Sequence, residues 1–165
     1  MQRGDKSELE FEAILKHKGV KFRRATEEEQ RLKHEDYITE AGSVDVKAAK
    51  KLVGSDPKVQ YERVLLELHG KRYKGWLAGC ATMIAFDLES GFLLVDRKEL
   101  LKWAELMVGE QTPISNCINP LEDNPRPKDY VAYSRGDEEK YFWCPVEDIC
   151  AEIGQQHWQL WEKVT

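Results

Sequence analysis

The sequence predicts an α/β fold in which helices pack on the faces of a mixed β-sheet. Three observations predict it. Short segments rich in valine, leucine and aromatic residues occur in pairs around tight turns, as hairpins do. Segments with the apolar spacing of helices precede, interrupt and follow these pairs. Hairpins that alternate with helices favour a mixed sheet over a doubly wound parallel one.

The length and composition indicate one folded domain. The chain has 165 residues, of which 41% are hydrophobic and 33% are charged, which is typical of a globular protein. We expect a single domain over residues 1–165, with its core at about residues 7–108. No apolar run approaches the roughly 18 residues that cross a membrane, and the charged first residues are unlike a secretory signal. The expected location is the cytoplasm, with no membrane partner.

The charges are unevenly distributed along the chain. The net charge of −5 does not by itself indicate a nucleic-acid binder. Residues 1–34 contain nine Lys/Arg against seven Asp/Glu, whereas residues 109–165 contain five against eleven. A face that binds a phosphate backbone would therefore lie on the first half. The alternative is an ordinary solvated surface with an acidic tail.

The cysteines do not predict a zinc site. None of the four forms the C-x-x-C pair that zinc sites commonly use. They are Cys80, Cys117, Cys144 and Cys150. We expect reduced thiols.

Three segments have the apolar spacing of a helix. The first covers residues 7–18, with Ser7 as its N-cap and Gly19 as its stop. The second covers residues 97–108. The third follows a proline and is expected to cover residues 146–161.

Strand-like segments lie between the helices. A short strand at residues 20–24 comes first. Hairpins then join residues 34–39 to 43–49, 81–88 to 92–95, and 130–134 to 140–144, and a single strand covers residues 61–68. Residues 109–128 contain four prolines and are expected to form a long surface loop.

The segment that carries most chemical information is the first hairpin, with Val44-Asp45-Val46-Lys47 on its second strand. Side chains alternate along a strand, so the two valines share one face, which we expect to be the core face. Asp45 and Lys47 then share the other face, about 7 Å apart along the strand.

The register of this hairpin decides where Asp36 lies. If Thr39 pairs with Gly42, Asp36 is opposite Asp45, and a shift of two residues places it opposite Lys47. Both registers put Asp36 on the charged face. The intermediate register would bury its carboxylate among the valines, which is costly. We therefore expect three charged groups on one face.

Two carboxylates on neighbouring strands repel each other and need compensation. A nearby lysine supplies part of it, and a divalent cation supplies more, because carboxylate oxygens are ligands that suit Mg²⁺. A lysine beside such a metal can hold a water or stabilise charge on a phosphate. The simpler alternative is an exposed hairpin with a salt bridge between Asp36 and Lys47.

The order of these motifs resembles the PD-(D/E)XK nuclease superfamily, and within it small phage-type nucleases and junction resolvases. An acid-bearing helix (SELEFEAILKHKG) leads to a short strand (VKFRR), an acid on the second strand (Asp36), and D-V-K on the third (Asp45 and Lys47). The segments VLLELHG and GWLAG and a hydrophobic strand follow. The resemblance covers about residues 7–108. It departs at Glu35, where a proline usually precedes the first acid.

The resemblance implies a restriction-endonuclease-like core and a site that holds Mg²⁺ or Mn²⁺. Asp36 and Asp45 would ligate the metal, and the carbonyl of Val46 would complete the set. The acid of the first helix would be Glu8, which lies on the inward stripe of that helix. Glu12, one turn later, is the alternative.

The remaining charged residues receive further roles. By the same resemblance, Lys47 would orient or activate the attacking water. Glu67 would be an additional acid of the site, or would pair with Lys47 or Lys50. Basic side chains that could contact phosphates follow the third and fourth strands: Lys50, Lys71, Arg72 and Lys74.

Two classes of function stay open at this point. The first is a metal-dependent nuclease that hydrolyses DNA phosphodiesters, of phage or mobile-element origin, with DNA as its partner and a homodimer as its candidate assembly. The second is a non-catalytic binding or interaction module on the same fold, which the net negative charge favours. A mimic of a host factor is a variant of the second class. A lysine beside two acids favours the nuclease.

Overall fold

A computed structural model describes residues 2–52, 56, 58–69, 75–115, 127–135 and 139–165. The helices are α1 (Arg3–His17), α2 (Glu27–Lys33), α3 (Arg97–Val108) and α4 (Val146–Glu152). The strands are β1 (Phe22–Arg24), β2 (Tyr37–Thr39), β3 (Gly42–Lys47), β4 (Arg63–His69), β5 (Met83–Asp87), β6 (Gly91–Asp96), β7 (Ile114–Ser115), β8 (Tyr133–Ser134), β9 (Lys140–Pro145) and β10 (Trp158–Glu162). The α/β class with a mixed sheet is confirmed.

The larger sheet has six strands in the order β1-β2-β3-β5-β6-β10. Strands β3 and β5 are parallel, and every other neighbouring pair in this sheet is antiparallel. The chain leaves the sheet after β3 and returns at β5, with β4 and the 3₁₀ helix Trp76–Ala78 in between. Strand β3, which carries the charged motif, therefore has a neighbour on each side.

The smaller sheet has four strands in the order β4-β9-β8-β7. Strand β4 pairs with β9 antiparallel, so the last predicted hairpin lies beside the strand predicted at residues 61–68. The three aromatic residues of β9, Tyr141, Phe142 and Trp143, are all buried. Core packing therefore accounts for the three consecutive aromatic residues of this strand.

Two hydrophobic clusters cover the two faces of the larger sheet. Phe11, Ile14 and Leu15 of α1 pack on Val44 and Val46, as the alternation along β3 predicts. The other face is covered by β4, α3, α4 and the 3₁₀ helix, and its buried members include Leu66, Leu77, Ile84, Leu100 and Phe142. Both faces of β3 are thus inside the protein, whereas the sequence pattern indicated a core on the valine face alone.

The turn between β2 and β3 has the first of the two registers that the sequence allowed. Thr39 pairs with Gly42 and Tyr37 with Val44. Gly42 has a φ of 128°, which residues with a side chain rarely adopt. A Cβ added there would lie 2.7 Å from the Cβ of Thr82. The position therefore requires glycine both for its backbone conformation and for space.

We expect Gly42→Ala to lower the free energy of unfolding by on the order of 2–4 kcal/mol, because it adds backbone strain to overpacking. Urea unfolding monitored by circular dichroism measures the change. Gly4→Ala is the matched control, since nothing lies within 4 Å of its added Cβ and alanine is the better helix former. A Gly42→Ala protein as stable as the control would show that the turn conformation is not needed.

Helix α1 begins at Arg3, four residues before the predicted start. Ser7 is therefore not the N-cap. It lies within α1 and is buried, and its hydroxyl donates a hydrogen bond of 2.7 Å to Asp87 Oδ2. The predicted stop is confirmed, because Gly19 follows the C-cap with a φ of 69°.

Helix α2 was absent from the expectation. It has no buried residue, and so it lacks the apolar periodicity from which helices are predicted. The start of this helix can nevertheless be recognised in the sequence. The side chain of Thr26 accepts from Glu29 N, and the side chain of Glu29 accepts from Thr26 N, which is a capping box.

The prediction of a last helix over residues 146–161 is wrong beyond Glu152. The backbone of Ile153 is extended, and residues 158–162 form β10, antiparallel to β6. Trp158 and Trp161 show why. Three residues apart on a helix they would share a face, but on a strand they point to opposite faces. Trp158 packs against the cluster beneath α3, and Trp161 packs against the cluster beneath α1.

The cysteines that the structure describes form no disulfide. Cys80, Cys144 and Cys150 are free thiols, whereas Cys117 lies outside the described residues. In the described part of the chain, no helix has the length and apolar character of a membrane span. The cytoplasmic location stays a prediction.

Candidate functional site

Asp36 is fixed at the point where β2 begins. Its N–H donates to the carbonyl of Val44 at 2.8 Å, and its own carbonyl accepts from Ala25 N at 2.8 Å. Its carboxylate Oδ2 accepts from Val46 N at 2.7 Å. The side chain thus stands where the next carbonyl of a longer β2 would stand. This places a carboxylate at the edge of β3, beside Asp45.

The backbone of Val46 faces the same edge. In a strand the N–H and C=O of one residue point to the same side. Since Val46 N–H points to Asp36, its carbonyl is directed toward the end of β2 as well. The carbonyl proposed as a ligand therefore points to the side where Asp36 lies.

Asp45 is almost completely buried, with 3% of its surface exposed. Burial raises the pKa of its carboxyl to about 7; Lys47 opposes this rise and Asp36 adds to it. Lys47 Nζ pairs with Asp45 Oδ2 at 3.0 Å, and within the described residues no further donor reaches this buried oxygen. The site therefore holds a buried carboxylate oxygen that is only partly compensated.

Lys47 is held between two groups. Its ammonium lies 3.0 Å from Asp45 Oδ2 and 4.7 Å from the centre of the Trp76 ring, within the range of a cation–π interaction. Its side chain is 24% exposed. Trp76 was not assigned a role from the sequence. It is 29 positions away, and no local pattern connects the two residues.

Glu8 lies on α1, close enough to Asp36 for the two carboxylates to affect each other. Burial raises the pKa of Glu8, as do Asp36 and Asp5, while Arg24 and Lys47 oppose the rise. The carbonyl of Glu8 accepts a hydrogen bond of 2.9 Å from the Tyr37 hydroxyl, which ties α1 to β2. An open cleft between α1, β1 and α2 is lined by both Glu8 and Asp36.

Glu12, the alternative acid of α1, is already satisfied. Its Oε2 accepts from Arg24 at 2.6 and 3.0 Å and from the Tyr37 hydroxyl at 3.2 Å. Lys16 lies 3.4 Å from its other oxygen. Burial acts to raise its pKa, but these partners outweigh burial and lower it. Glu12 therefore joins α1 to β1 and β2, and Glu8 is the acid that faces the cleft.

Glu67 is not placed with the carboxylates. It lies on β4 in the smaller sheet, opposite Tyr141. Its charge acts on Lys50, which agrees with the pairing considered from the sequence. Of the predicted phosphate contacts, Lys50 is exposed at the surface, and Lys71, Arg72 and Lys74 lie outside the described residues.

The position of α1 depends on the end of the chain. Asp87, which accepts from Ser7, is also paired with Lys163 at 2.8 Å, and Lys163 forms a second ion pair with Glu10. The Trp161 ring stacks on Phe11, with centroids 5.9 Å apart. Glu8, next to Ser7, is therefore positioned by contacts with β5 and with the residues after β10.

The structure thus brings Asp36, Asp45 and Lys47 together, with Glu8 at the rim of the same site. In the described part of the chain, no three His, Cys, Asp or Glu side chains form a preformed metal cluster. Comparisons with protein families, with curated proteins and with solved structures found no match to this chain. The function must therefore be inferred from the site itself.

Proposed function

We propose that the chain is a metal-dependent nuclease that hydrolyses DNA phosphodiester bonds at Asp36, Asp45 and Lys47. One observation supports this most: the buried Asp45 carboxylate lies beside that of Asp36, and the Lys47 ammonium, 3.0 Å away, is its one cationic partner among the described residues. A carboxylate in such a place is costly. A divalent cation shared with Asp36 would compensate it.

The residues present fit magnesium or manganese better than zinc. Mg²⁺ commonly takes one or two carboxylates and completes its shell with waters and substrate phosphates. Asp36, Asp45 and the Val46 carbonyl would hold it, with Glu8 as a further ligand, direct or through water. Zinc sites use histidine and cysteine ligands, and the four groups here are all oxygen donors.

A bound Mg²⁺ would supply charge stabilisation for the phosphate and a water of lowered pKa. The chain itself would supply the rest. Asp45 and the Trp76 ring hold the Lys47 ammonium from two sides. From there Lys47 would hold the attacking water or stabilise negative charge on the phosphate. Glu8 would face the incoming strand from α1.

The second candidate is a non-catalytic binding module. It is favoured by the Lys47–Asp45 contact, which already pairs the two charges without a metal, and by the net charge of −5. The origin in a phage or mobile element, the cytoplasmic location and a homodimer stay predictions.

The test is cleavage by the purified protein. We expect supercoiled, linear, single-stranded or four-way-junction DNA to be cut with Mg²⁺ or Mn²⁺, and EDTA to stop the reaction. Gel electrophoresis of end-labelled substrates measures the products. Cleavage of none of the four substrates at millimolar metal would favour the binding module.

A further inference from the structure

The cleft between α1, β1 and α2 has an unequal set of charges among the described residues that line it. Three of them are carboxylates, those of Asp5, Glu8 and Asp36, and one is the guanidinium of Arg24. A DNA strand that reached Asp36 through this cleft would be repelled by the acids of α1. Arg24 is the charged group of this lining that attracts a phosphate.

Strand pairing fixes the backbone of Arg24 beside the site. Arg24 is the partner of Tyr37 in the antiparallel pair of β1 and β2, and Ala25 N donates to the carbonyl of Asp36 at 2.8 Å. This hydrogen bond makes Arg24 and Tyr37 a non-hydrogen-bonded pair, in which the Cα atoms lie about 4.5 Å apart and the side chains are close. The two side chains point to the same face of the sheet, which α1 covers.

Glu12 holds the guanidinium in the cleft. Arg24 Nε and Nη2 donate to Glu12 Oε2 at 3.0 and 2.6 Å, and Glu12 is 6% exposed. The Tyr37 hydroxyl lies 3.2 Å from the same oxygen and 2.9 Å from the carbonyl of Glu8. Glu8 and Glu12 are one helical turn apart, which separates their Cβ atoms by about 5–6 Å. The guanidinium therefore lies about one turn of α1 from the acid that faces the cleft.

Arg24 keeps donors for a ligand. A guanidinium carries five N–H groups, and the two bonds to Glu12 engage one on Nε and one on Nη2. The N–H groups of Nη1 lie outside these bonds, and the side chain is 64% exposed. An arginine that is fixed along one edge and exposed along another is suited to bind a phosphate through two hydrogen bonds.

Arg23, the preceding residue on β1, has the opposite orientation. Successive side chains of a strand point to opposite faces, and Arg23 donates from both Nη atoms to the two oxygens of Glu29 at 2.7 and 3.0 Å. The described lining of the cleft includes Arg24 and not Arg23. The two arginines share a strand, an exposed side chain and a glutamate partner, so Arg23 is a matched control for Arg24.

We propose that Arg24 binds a phosphate of the DNA strand that is cut at the Asp36–Asp45 site. This rests on the proposed function and names the residue that holds the substrate backbone on the α1 side. Arg24 offsets the repulsion between the acids of α1 and the strand. Glu12 does not touch the DNA, and it acts as a positioning residue for the guanidinium.

DNA affinity tests this contact. A labelled 20-nucleotide single strand is titrated, by fluorescence anisotropy in Mg²⁺, with Lys47→Ala protein, which is expected to keep the metal and to cleave slowly. Adding Arg24→Gln should weaken binding about tenfold in 0.05 M salt, as the loss of a hydrogen bond between charged groups does. One phosphate contact changes the slope of log K against log salt by roughly 0.7. The difference should therefore shrink to about twofold in 0.5 M salt.

A double variant separates binding from folding, because Arg24→Gln also leaves the buried Glu12 with fewer partners. Arg24→Gln/Glu12→Gln removes both members of the ion pair. It should recover most of the stability lost in Arg24→Gln, measured by urea unfolding, because no buried charge loses its partner. The affinity for DNA should stay about tenfold reduced. Recovery of affinity together with stability would overturn the proposal, because Arg24 would then serve only to neutralise Glu12.

Arg23→Gln removes an equal charge from the same strand and should change the affinity by less than about twofold. An equal loss in Arg23→Gln and Arg24→Gln would overturn the contact and assign the effect to general surface charge. So would a wild-type protein that does not bind the strand.

Cleavage separates this proposal from the nuclease itself. If the wild type cleaves DNA, Arg24→Gln should raise KM about tenfold and leave the affinity for Mn²⁺ unchanged. An unchanged KM would overturn the contact while the nuclease stands. If the wild type cleaves no DNA but the tenfold difference in affinity is observed, the phosphate contact of Arg24 stands and the nuclease is wrong.

Discussion

Lys47→Ala is expected to lower the rate of DNA cleavage by on the order of 10²–10³, the usual effect of removing one group that stabilises charge in the transition state. Metal binding should be largely retained, because a charged lysine has no lone pair to offer a cation. Removing it also relieves the competition between Lys47 and the metal for Asp45 Oδ2, which lies 3.0 Å from the ammonium. Cleavage rates and Mn²⁺ titration calorimetry measure the two properties separately.

Asp45→Ala provides the contrast, since the loss of a ligand should remove both cleavage and metal binding. Lys98→Ala, an exposed lysine on α3, is the matched control. A Lys47→Ala protein that cleaves at the rate of this control would reduce Lys47 to a salt-bridge partner. The proposed role of the lysine would then be wrong even for a protein that is a nuclease.

The buried Asp45 should make the metal-free protein less stable as the pH rises. Its pKa is raised from 3.8 to about 7 in the folded state. Between these values the folded protein binds more protons than the unfolded chain, so the free energy of unfolding falls with pH. The contribution is absent below about pH 4 and complete above about pH 7, and amounts to on the order of 4 kcal/mol.

Asp45→Asn has no such proton to lose. Its stability relative to the wild type should therefore increase between pH 4 and pH 8, whatever its absolute value. Urea unfolding in EDTA across this range measures the difference between the two proteins. A difference that does not change with pH would mean that Asp45 is ionised in the folded protein from pH 4 upward.

Metal should reverse the effect at pH 8. Mg²⁺ or Mn²⁺ binds the ionised carboxylate and stabilises the folded state by mass action. The melting temperature of the wild type should rise with millimolar metal and fall back with EDTA. An equal rise in Asp45→Asn would assign the effect to ordinary surface carboxylates.

The sequence predicted the centre of the candidate site because that part depends on local rules. The alternation along β3 and the glycine in the turn place Asp36, Asp45 and Lys47 on a common edge. Burial of a carboxylate among valines excluded the competing register. These arguments need only residues 34–47, so they do not depend on the rest of the fold.

The surroundings of the site could not be predicted in this way. Trp76 reaches Lys47 through the crossover from β3 to β5, which no local pattern encodes. For the same reason, the strand β10 could not be predicted from local patterns. The spacing of its two tryptophans is compatible with a helix or with a strand, and the pairing with β6 decides for the strand.

The contact between α1 and residues 161–163 has a consequence for the order of folding. Trp161 stacks on Phe11, and Lys163 joins Glu10 to Asp87, so α1 is held by residues some 150 positions away. Contacts this far apart in sequence form late, because a long loop must close first. The contacts of Trp161 and Lys163 with α1 form only after β10 has joined the sheet, whereas the hydrogen bond from Tyr37 to the Glu8 carbonyl does not depend on β10. A chain in which β10 has not yet joined the sheet would therefore carry the D-V-K strand without the contacts of Trp161 and Lys163 that help to hold α1 beside it.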